Sequence, residues 1–597
     1  MYFPENNRQY RIFSVSLFVV LFCYLVIRCL LNAPLQDELN TFSYYIQSGK
    51  PHNNDIPLDA NNHLLNTYLS TVFYCIGGPH FFWLRLPNLL SFGLFFYSIY
   101  SLFNNLRTPY LRTTGLIALS CIPAFLEYFA CCRGYGLSLG FLTFSLLQLS
   151  RFMQQTNTSA FAGALFSILL AAMANLSLLP LCLFVFGYTL LISLLRKRIE
   201  FRSLLLTRLV PVLVFLAGLT YLLAYSFRLK AAEAFYWGGT NGLWGTTGVS
   251  LNRDVLFSSS VVWKYVYSLL LLIFVAHVAV VLFRETWKAL FSRTDLMITL
   301  ALLSLLVFIE CSFRMLGLLY PLQRGGLHIA LLFLLCLVFV LDNNKMGRYL
   351  HWPLLWFAMS FLLHLNIYSS VSSPGDRISD SLYAQLRPYL TDSTSMLCSS
   401  HLLPSFQYHQ LQDSRFIGAI SGEGNPTHSD LWITRPDLMQ GPVPENYRLI
   451  AGDSASQVMI YQRFPTENVR VATEGSSAIV RQVKSENVYP IVPRTAYGLQ
   501  PGEGLSVELS GKLVGPAMAS NLQLQIGGFD KNGATAYYSF TNLRMLLQGR
   551  RLNERFHITI TPDGLKGTEQ ELLVYLWSPA GEKLVIEDLR YRVVVVK

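Results

Sequence analysis

The chain has 597 residues, of which 52% are hydrophobic and only 14% charged, with a mean hydropathy of +0.38. A soluble domain carries about 25% charged residues, so a chain of this composition is not water-soluble along its whole length. Its formal net charge of +11 is no nucleic-acid signature. Lys and Arg gather between alternate apolar stretches (Arg107 and Arg112; Arg196, Lys197, Arg198 and Arg202; Arg284, Lys288 and Arg293; Lys345 and Arg348), which is the positive-inside pattern of a membrane protein.

Apolar stretches near 12–31, 82–103, 113–130, 135–151, 160–176, 178–195, 208–227, 259–283, 295–316, 326–341 and 350–369 predict eleven spans of a hydrocarbon core. The first has no small-residue cleavage site behind it and reads as an uncleaved signal anchor. With the N-terminus inside, an odd number of crossings carries the tail to the far side, and the basic loops all fall in the cytoplasm.

The non-cytoplasmic side then receives residues 32–81, the CCRGYG turn at 131–136, the loop 228–258, the LYPLQRGG turn at 319–326, and the tail. Within the first of these, Leu39, Phe42 and Ile46 fall at helical spacing, as do Leu65, Tyr68, Val72 and Ile76. Each set is an apolar stripe, predicting two helices in the membrane interface. The loop FYWGGTNGLWGTTG reads equally as a mobile substrate loop or as part of an aromatic belt.

Residues 1–369 therefore form a transmembrane domain. After a Ser/Pro/Gly linker, SSVSSPGD, residues 370–464 mix a helix at 378–390 with short strand-like runs and predict a small α/β domain. From 465 to 597 strict alternation takes over, as in Leu505, Val507 and Leu509 or Leu522, Leu524 and Ile526, and predicts a β-sandwich. The fold class is a polytopic α-helical membrane protein with a soluble C-terminal region. The ten cysteines mostly lie in apolar stretches, and Cys131 and Cys132 read as small packing residues.

No GxxxxGK[ST] is present to support an ATP-driven pump, and no GxSxG, HExxH or paired CxxC appears. What remains is a set of polar groups on one membrane face, where charge is costly and serves a purpose. Asp37 and Glu38 follow the first span; Asp37 reads either as a helix N-cap or as a general base. Arg133 and Arg324 are isolated cations in non-cytoplasmic turns, and Arg85 opens the second span on that face. They read either as phosphate grips, through the planar guanidinium fork, or as side chains snorkelling to headgroups. Glu310 and Arg314, four residues apart, predict a mutual ion pair. Asn62, His63 and Tyr135 are candidates for the substrate loop. Asp59 and His63 are the candidate ligands should a divalent metal bind, but their spacing is not diagnostic and they read first as polar loop residues. No other cofactor is implied.

A span followed by DE, a two-helix loop, RLPN opening the second span and RGYGLSL opening the fourth together resemble the GT-C membrane glycosyltransferases. The branch is that of the protein O-mannosyltransferases and aminoarabinose transferases. NNHLLNTYL and YPLQRGGLHIALLF extend the likeness, which covers roughly residues 10–370. The resemblance implies a polyprenyl-phosphate sugar as donor and inversion at the anomeric carbon. It also implies Asp37 as base with Glu38 beside it, and phosphate binding by Arg133 and Arg324. Gln323 stands where the family pattern has an acid. VYLWSPAGEKLVIEDL is similar to the last hairpin of a carbohydrate-binding jelly roll.

The function so implied is sugar transfer to a hydroxyl of an envelope acceptor, whether protein Ser/Thr, lipid or glycan, at the periplasmic face of a bacterial inner membrane. Membrane lipids are the other partner. A lipid-linked glycan flippase and a non-catalytic glycan-binding scaffold are the alternatives.

Overall fold

Two compact units divide the chain in the computed structural model: Met1–Asn32 with Leu58–Ser372, and Ala33–Pro57 with Ser373–Lys597. The structure describes residues 7–47, 49–52, 58–155, 157–195, 201–285, 290–343, 347–370, 375–391, 393–413, 419–421, 426, 428–464, 469–480, 489–500, 502–514, 523–530, 532–542, 555–562, 571–577 and 586–596. Several predicted cytoplasmic cations (Arg196, Lys197, Arg198, Lys288 and Lys345) and residues 371–374 of the SSVSSPGD linker lie outside the described residues.

The first unit is helical. Among its described residues seven helices are long and apolar enough to cross a bilayer: Arg8–Leu31, Phe81–Phe103, Leu176–Leu195, Arg208–Ala231, Trp263–Glu285, Thr294–Leu316 and Gln323–Asp342. The chain is an integral membrane protein. An eighth crossing results if Pro123–Phe129 and Gly134–Gln155, bent by 107°, count as one. The eleven expected spans are thus not matched one for one. The stretch 113–130 breaks into Pro109–Ser120 and Pro123–Phe129, because Pro123 has no N–H with which to continue the first helix. The stretches 160–176 and 350–369 yield only the shorter helices Thr158–Ala174 and Trp352–Leu363.

Aromatic side chains fill the interior where these helices cross. Phe92 meets Phe129 edge-on at 5.2 Å, and Phe95 meets Phe125 at 6.2 Å. Arg28, fully buried in the first helix, donates to the carbonyl oxygens of Asn366 (2.8 Å) and Ser369 (3.2 Å). It thereby ties the first span to the end of the unit.

The second unit contains the segment Ala33–Pro57, which corrects one expectation. Leu39, Phe42 and Ile46 do form a helical stripe, over Gln36–Thr41 and the π-turn Phe42–Ile46, yet all three are buried in protein. Phe42 packs edge-on against Tyr408 of the helix Leu403–Asp413, and the His401 ring lies 3.0 Å from the Gln36 side-chain oxygen. An apolar stripe says that a face must be covered, not by what. The other predicted stripe behaves differently: on helix Leu64–Gly77, Tyr68, Val72 and Ile76 are exposed, while Leu65 is buried.

The small domain is a five-stranded sheet of β1 (Met396–Cys398), β2 (Ala419–Ser421), β3 (Leu431–Thr434), β4 (Tyr447–Asp453) and β5 (Val458–Arg463), in the order β2-β1-β3-β5-β4. Strands β1, β2 and β3 are parallel, and β5 pairs antiparallel with both of its neighbours, β3 and β4. Leu382 and Leu386 of the helix Asp380–Leu386, Phe406 of Leu403–Asp413 and Ile378 just before the first of these cover it.

Eight strands follow: β6 (Val469–Val480), β7 (Tyr489–Ala496), β8 (Gly504–Leu513), β9 (Gln523–Phe529), β10 (Thr535–Asn542), β11 (Arg555–Ile560), β12 (Glu571–Trp577) and β13 (Ile586–Val596). They pair antiparallel as two sheets, β10-β9-β12-β7 and β11-β8-β13-β6. This strand order is that of a jelly roll. The alternating residues meet inside, Leu505, Val507 and Leu509 from one sheet and Leu524, Ile526 and Val574 from the other.

Candidate active site

Arg133 sits in the sharp bend before Gly134–Gln155, and two glycines make that bend sterically feasible. A Cβ on Gly134 would stand 2.0 Å from the Ala174 carbonyl oxygen and 2.7 Å from His63; one on Gly136 would stand 2.5 Å from the Tyr128 carbonyl oxygen. The RGYG run therefore encodes close approach of backbone to backbone. Arg133 is buried, donates to the Asn61 side-chain oxygen, and lies over the Tyr135 ring at 6.0 Å.

His63 precedes the helix Leu64–Gly77 and closes the other side of this nest. Its Nδ1 lies 2.7 Å from the Ala174 carbonyl oxygen, and its ring meets Tyr135 edge-on at 4.5 Å. A carbonyl only accepts, so Nδ1 carries the proton. Asn62 accepts from Thr67 (2.8 Å) and shares a hydrogen bond with Tyr225. Asn66 accepts from Asn88 (2.7 Å), and Asn88 in turn accepts from the Leu137 N–H (3.0 Å). The Asn of RLPN and the second half of NNHLLN thus fix the helix that follows Arg133.

Arg324 lies in the turn Gln323–Gly326, which the loop 228–258 cradles. Gly239 and Tyr320 exchange backbone hydrogen bonds of 3.2 and 3.0 Å, Thr247 donates to the Pro321 carbonyl oxygen (2.7 Å), and the Gln323 N–H donates to the Ser250 hydroxyl (2.9 Å). Gln323 holds a left-handed φ of 49°, uncommon for a side-chain-bearing residue, at the step before Arg324. The Arg133 and Arg324 regions are joined by one turn: Ala174 takes the His63 bond, Asn175 accepts from Ser177 (2.8 Å), and Ser177 lies 3.4 Å from the Gly325 carbonyl oxygen.

Two acids in this neighbourhood escape the sequence reading. Asp254 stands one helical turn beyond Ser250 on the helix Val249–Val255, with an 11% exposed side chain 3.5 Å from the Arg253 guanidinium. Burial pushes its carboxyl above the usual aspartate range. The Arg253 charge opposes the rise, Glu127 adds to it, and Arg324 opposes it. Glu127, wholly buried in Pro123–Phe129, accepts from the Ser370 hydroxyl, and its charge also reaches Arg28. The signal for Glu127 was a lone acid inside an apolar stretch, six residues before Arg133. Asp254 had only its place in the loop 228–258, which the sequence predicts to be non-cytoplasmic.

The other candidates are placed differently. Arg85 is fully buried and donates to the carbonyl oxygens of Cys29 (3.2 Å) and Asn32 (2.7 Å), capping the end of the first helix. Asp37 and Glu38 belong to the second unit, in the first turn of Gln36–Thr41. Glu38 is buried and accepts from the Leu35 N–H (3.0 Å), a helix-capping role, while Asp37 is half-buried. Glu310 and Arg314 pair at 2.7 Å, and Tyr320 joins them at 2.8 Å. Cys131 and Cys132 are buried. Among the described residues, no three His, Cys, Asp or Glu side chains converge as a metal site. Asp59 instead accepts from the Asn61 N–H (2.8 Å), and His63 is committed to Ala174, so the structure does not bring this pair into a ligand set.

No protein-family model matches the chain, and no curated protein does. Among solved structures it is similar to ArnT from Cupriavidus metallidurans bound to undecaprenyl phosphate, at 13% identity and a TM-score of 0.36, over 76% of this chain and 98% of that one. It is also similar to the arabinosyltransferase EmbB from Mycobacterium smegmatis, at 10% identity and a TM-score of 0.31, over 97% of this chain and 64% of that one. A third is the Archaeoglobus fulgidus oligosaccharyltransferase tethered with an acceptor peptide, at 9% identity and a TM-score of 0.33, over 96% and 97%.

Proposed function

We propose that the protein is an inverting glycosyltransferase that moves a sugar from a polyprenyl-phosphate donor to a hydroxyl of an envelope acceptor, on the non-cytoplasmic face of the membrane. The observation that carries this reading is the Arg133 nest: a buried guanidinium among Asn61, His63 and Tyr135, joined by one turn to the region of Arg324. Burying a cation in a membrane domain is costly, and an anion of the substrate is its natural counterpart.

In the proposed reaction Asp37 accepts the proton of the acceptor hydroxyl as that oxygen attacks the anomeric carbon. The bond from that carbon to the phosphate oxygen breaks, the configuration inverts, and prenyl phosphate departs with the electron pair. Arg133 and Arg324 hold the phosphate as its negative charge grows, which is where preorganised cations accelerate a reaction. Arg85 acts by setting the end of the first span, through the carbonyl oxygens of Cys29 and Asn32, rather than by gripping phosphate. His63, Asn62 and Tyr135 line the substrate side of the nest. The jelly roll would hold the acceptor.

The test is a deletion strain whose envelope glycans and glycoproteins are compared after complementation with wild type, Asp37→Asn or Arg133→Gln. Loss of the same product with both variants, each present at wild-type level in the membrane, is the expected result. Full restoration by Asp37→Asn removes the base assignment and leaves the flippase reading, which needs no base.

A further inference from the structure

Donor and product of the proposed reaction differ in charge. A sugar joined to a prenyl phosphate is a phosphodiester and carries one negative charge. Breaking the sugar bond leaves a phosphomonoester, whose second proton leaves at a pKa of about 6, so the departing prenyl phosphate carries close to two charges at neutral pH. A site that grips phosphate through arginines alone would hold its product more tightly than its donor.

The Arg324 side of the nest does not consist of arginine alone. The helix Val249–Val255 is fastened to the Arg324 turn by the Ser250 bond to the Gln323 N–H (2.9 Å) and by Leu251, which a Cβ on Gly326 would meet at 3.3 Å. Asp254 follows Ser250 by four residues, so both share that face of the helix. Its side chain is largely enclosed, its field is felt with those of Arg324 and Glu127, and Arg253 is its direct partner. A carboxylate is thereby built in beside the cation assigned to the phosphate.

Resting on the phosphate role proposed for Arg324, we propose that Asp254 sets the charge preference of the site, lowering its affinity for the dianionic prenyl phosphate relative to the monoanionic diester and so speeding product release. Asp254 touches neither reacting atom; it acts through the field at Arg324 and is a positioning residue. A nearby carboxylate repels two charges about twice as strongly as one, so the discrimination follows from Coulomb's law without any change of shape.

The experiment measures binding of undecaprenyl phosphate and of its methyl diester to purified wild-type protein, Asp254→Asn, Asp254→Glu and Arg324→Gln at pH 8. Asp254→Asn is expected to tighten the monoester by about fivefold while changing the diester by about twofold or less, as removal of one partly screened charge allows. Asp254→Glu restores the wild-type ratio. Equal changes for both ligands, or none in Asp254→Asn while Arg324→Gln weakens both, overturn the inference and leave the Arg324 assignment standing. Unchanged binding of both ligands in Arg324→Gln overturns the phosphate role of Arg324 and this inference together.

Discussion

The His63 ring and the Ala174 carbonyl oxygen meet at 2.7 Å across 111 residues of sequence, and that bond joins the loop after the first span to the turn between two later helices. Gly134 lies directly behind it, where any Cβ would strike both partners. Arg133 is held on the near side through Asn61 and Tyr135.

Replacing His63 with Ala orphans the buried Ala174 acceptor, at a cost of about 1–3 kcal/mol. The expected outcome is a lower unfolding temperature in detergent together with weaker prenyl-phosphate binding. Wild-type stability with wild-type binding would contradict the placement of His63.

Gly134→Ala inserts a methyl group 2.0 Å from a backbone oxygen, a distance no side-chain motion relieves. Overpacking of this kind costs about 1–3 kcal/mol or more. Transfer activity is expected to fall below detection even where membrane-inserted protein is recovered. Gly187→Ala, where nothing lies within 4 Å of the added methyl group, is the matched control and stays active.

Arg133→Lys keeps the charge and loses the planar fork, so a bidentate phosphate grip weakens. Donor binding is expected to weaken by about tenfold, close to 1.4 kcal/mol, with little change in thermal stability. Isothermal calorimetry or a fluorescent prenyl-phosphate analogue reads the affinity, and a stability loss without an affinity loss would assign Arg133 to structure.

Arg85→Met separates two roles for a second arginine. Because its guanidinium donates to Cys29 and Asn32 carbonyl oxygens, its removal is expected to act on stability, by about 1.5–3 kcal/mol for charged hydrogen bonds. Donor affinity in the folded fraction should change by less than about twofold, a threshold well below one tenfold step.

Glu38→Gln retains an oxygen for the Leu35 N–H and is expected to preserve both fold and activity, whereas Glu38→Ala loses the cap at about 0.5–2 kcal/mol. Inactive but fully stable Glu38→Gln protein, seen by thermal unfolding beside a transfer assay, would give Glu38 a chemical role.

Much of the architecture was legible because it rests on period and polarity. Apolar stretches of bilayer length marked most of the long helices, and two-residue alternation marked the strands that now fill the sandwich core. The broken span at Pro123 was equally readable, since proline has no N–H to give, yet hydropathy averaged over it. At the site, Arg133, His63 and Tyr135 stood out as polar or aromatic residues in short turns. Asp254 and Glu127 did not, because a single acid in a loop or an apolar run carries no local pattern.

The sequence by itself determined that this chain enters a membrane and where most of its helices and strands run. Those properties are set by each residue's own free energy of transfer and by spacing along the chain. Only the tertiary structure decided that Arg85 ends on carbonyl oxygens, that Leu39, Phe42 and Ile46 are buried in protein with Phe42 against Tyr408, and that Asp254 stands beside the Arg324 turn. Each of these depends on which distant segment arrives to satisfy a charge or cover an apolar face, and many partners satisfy the same local pattern equally well.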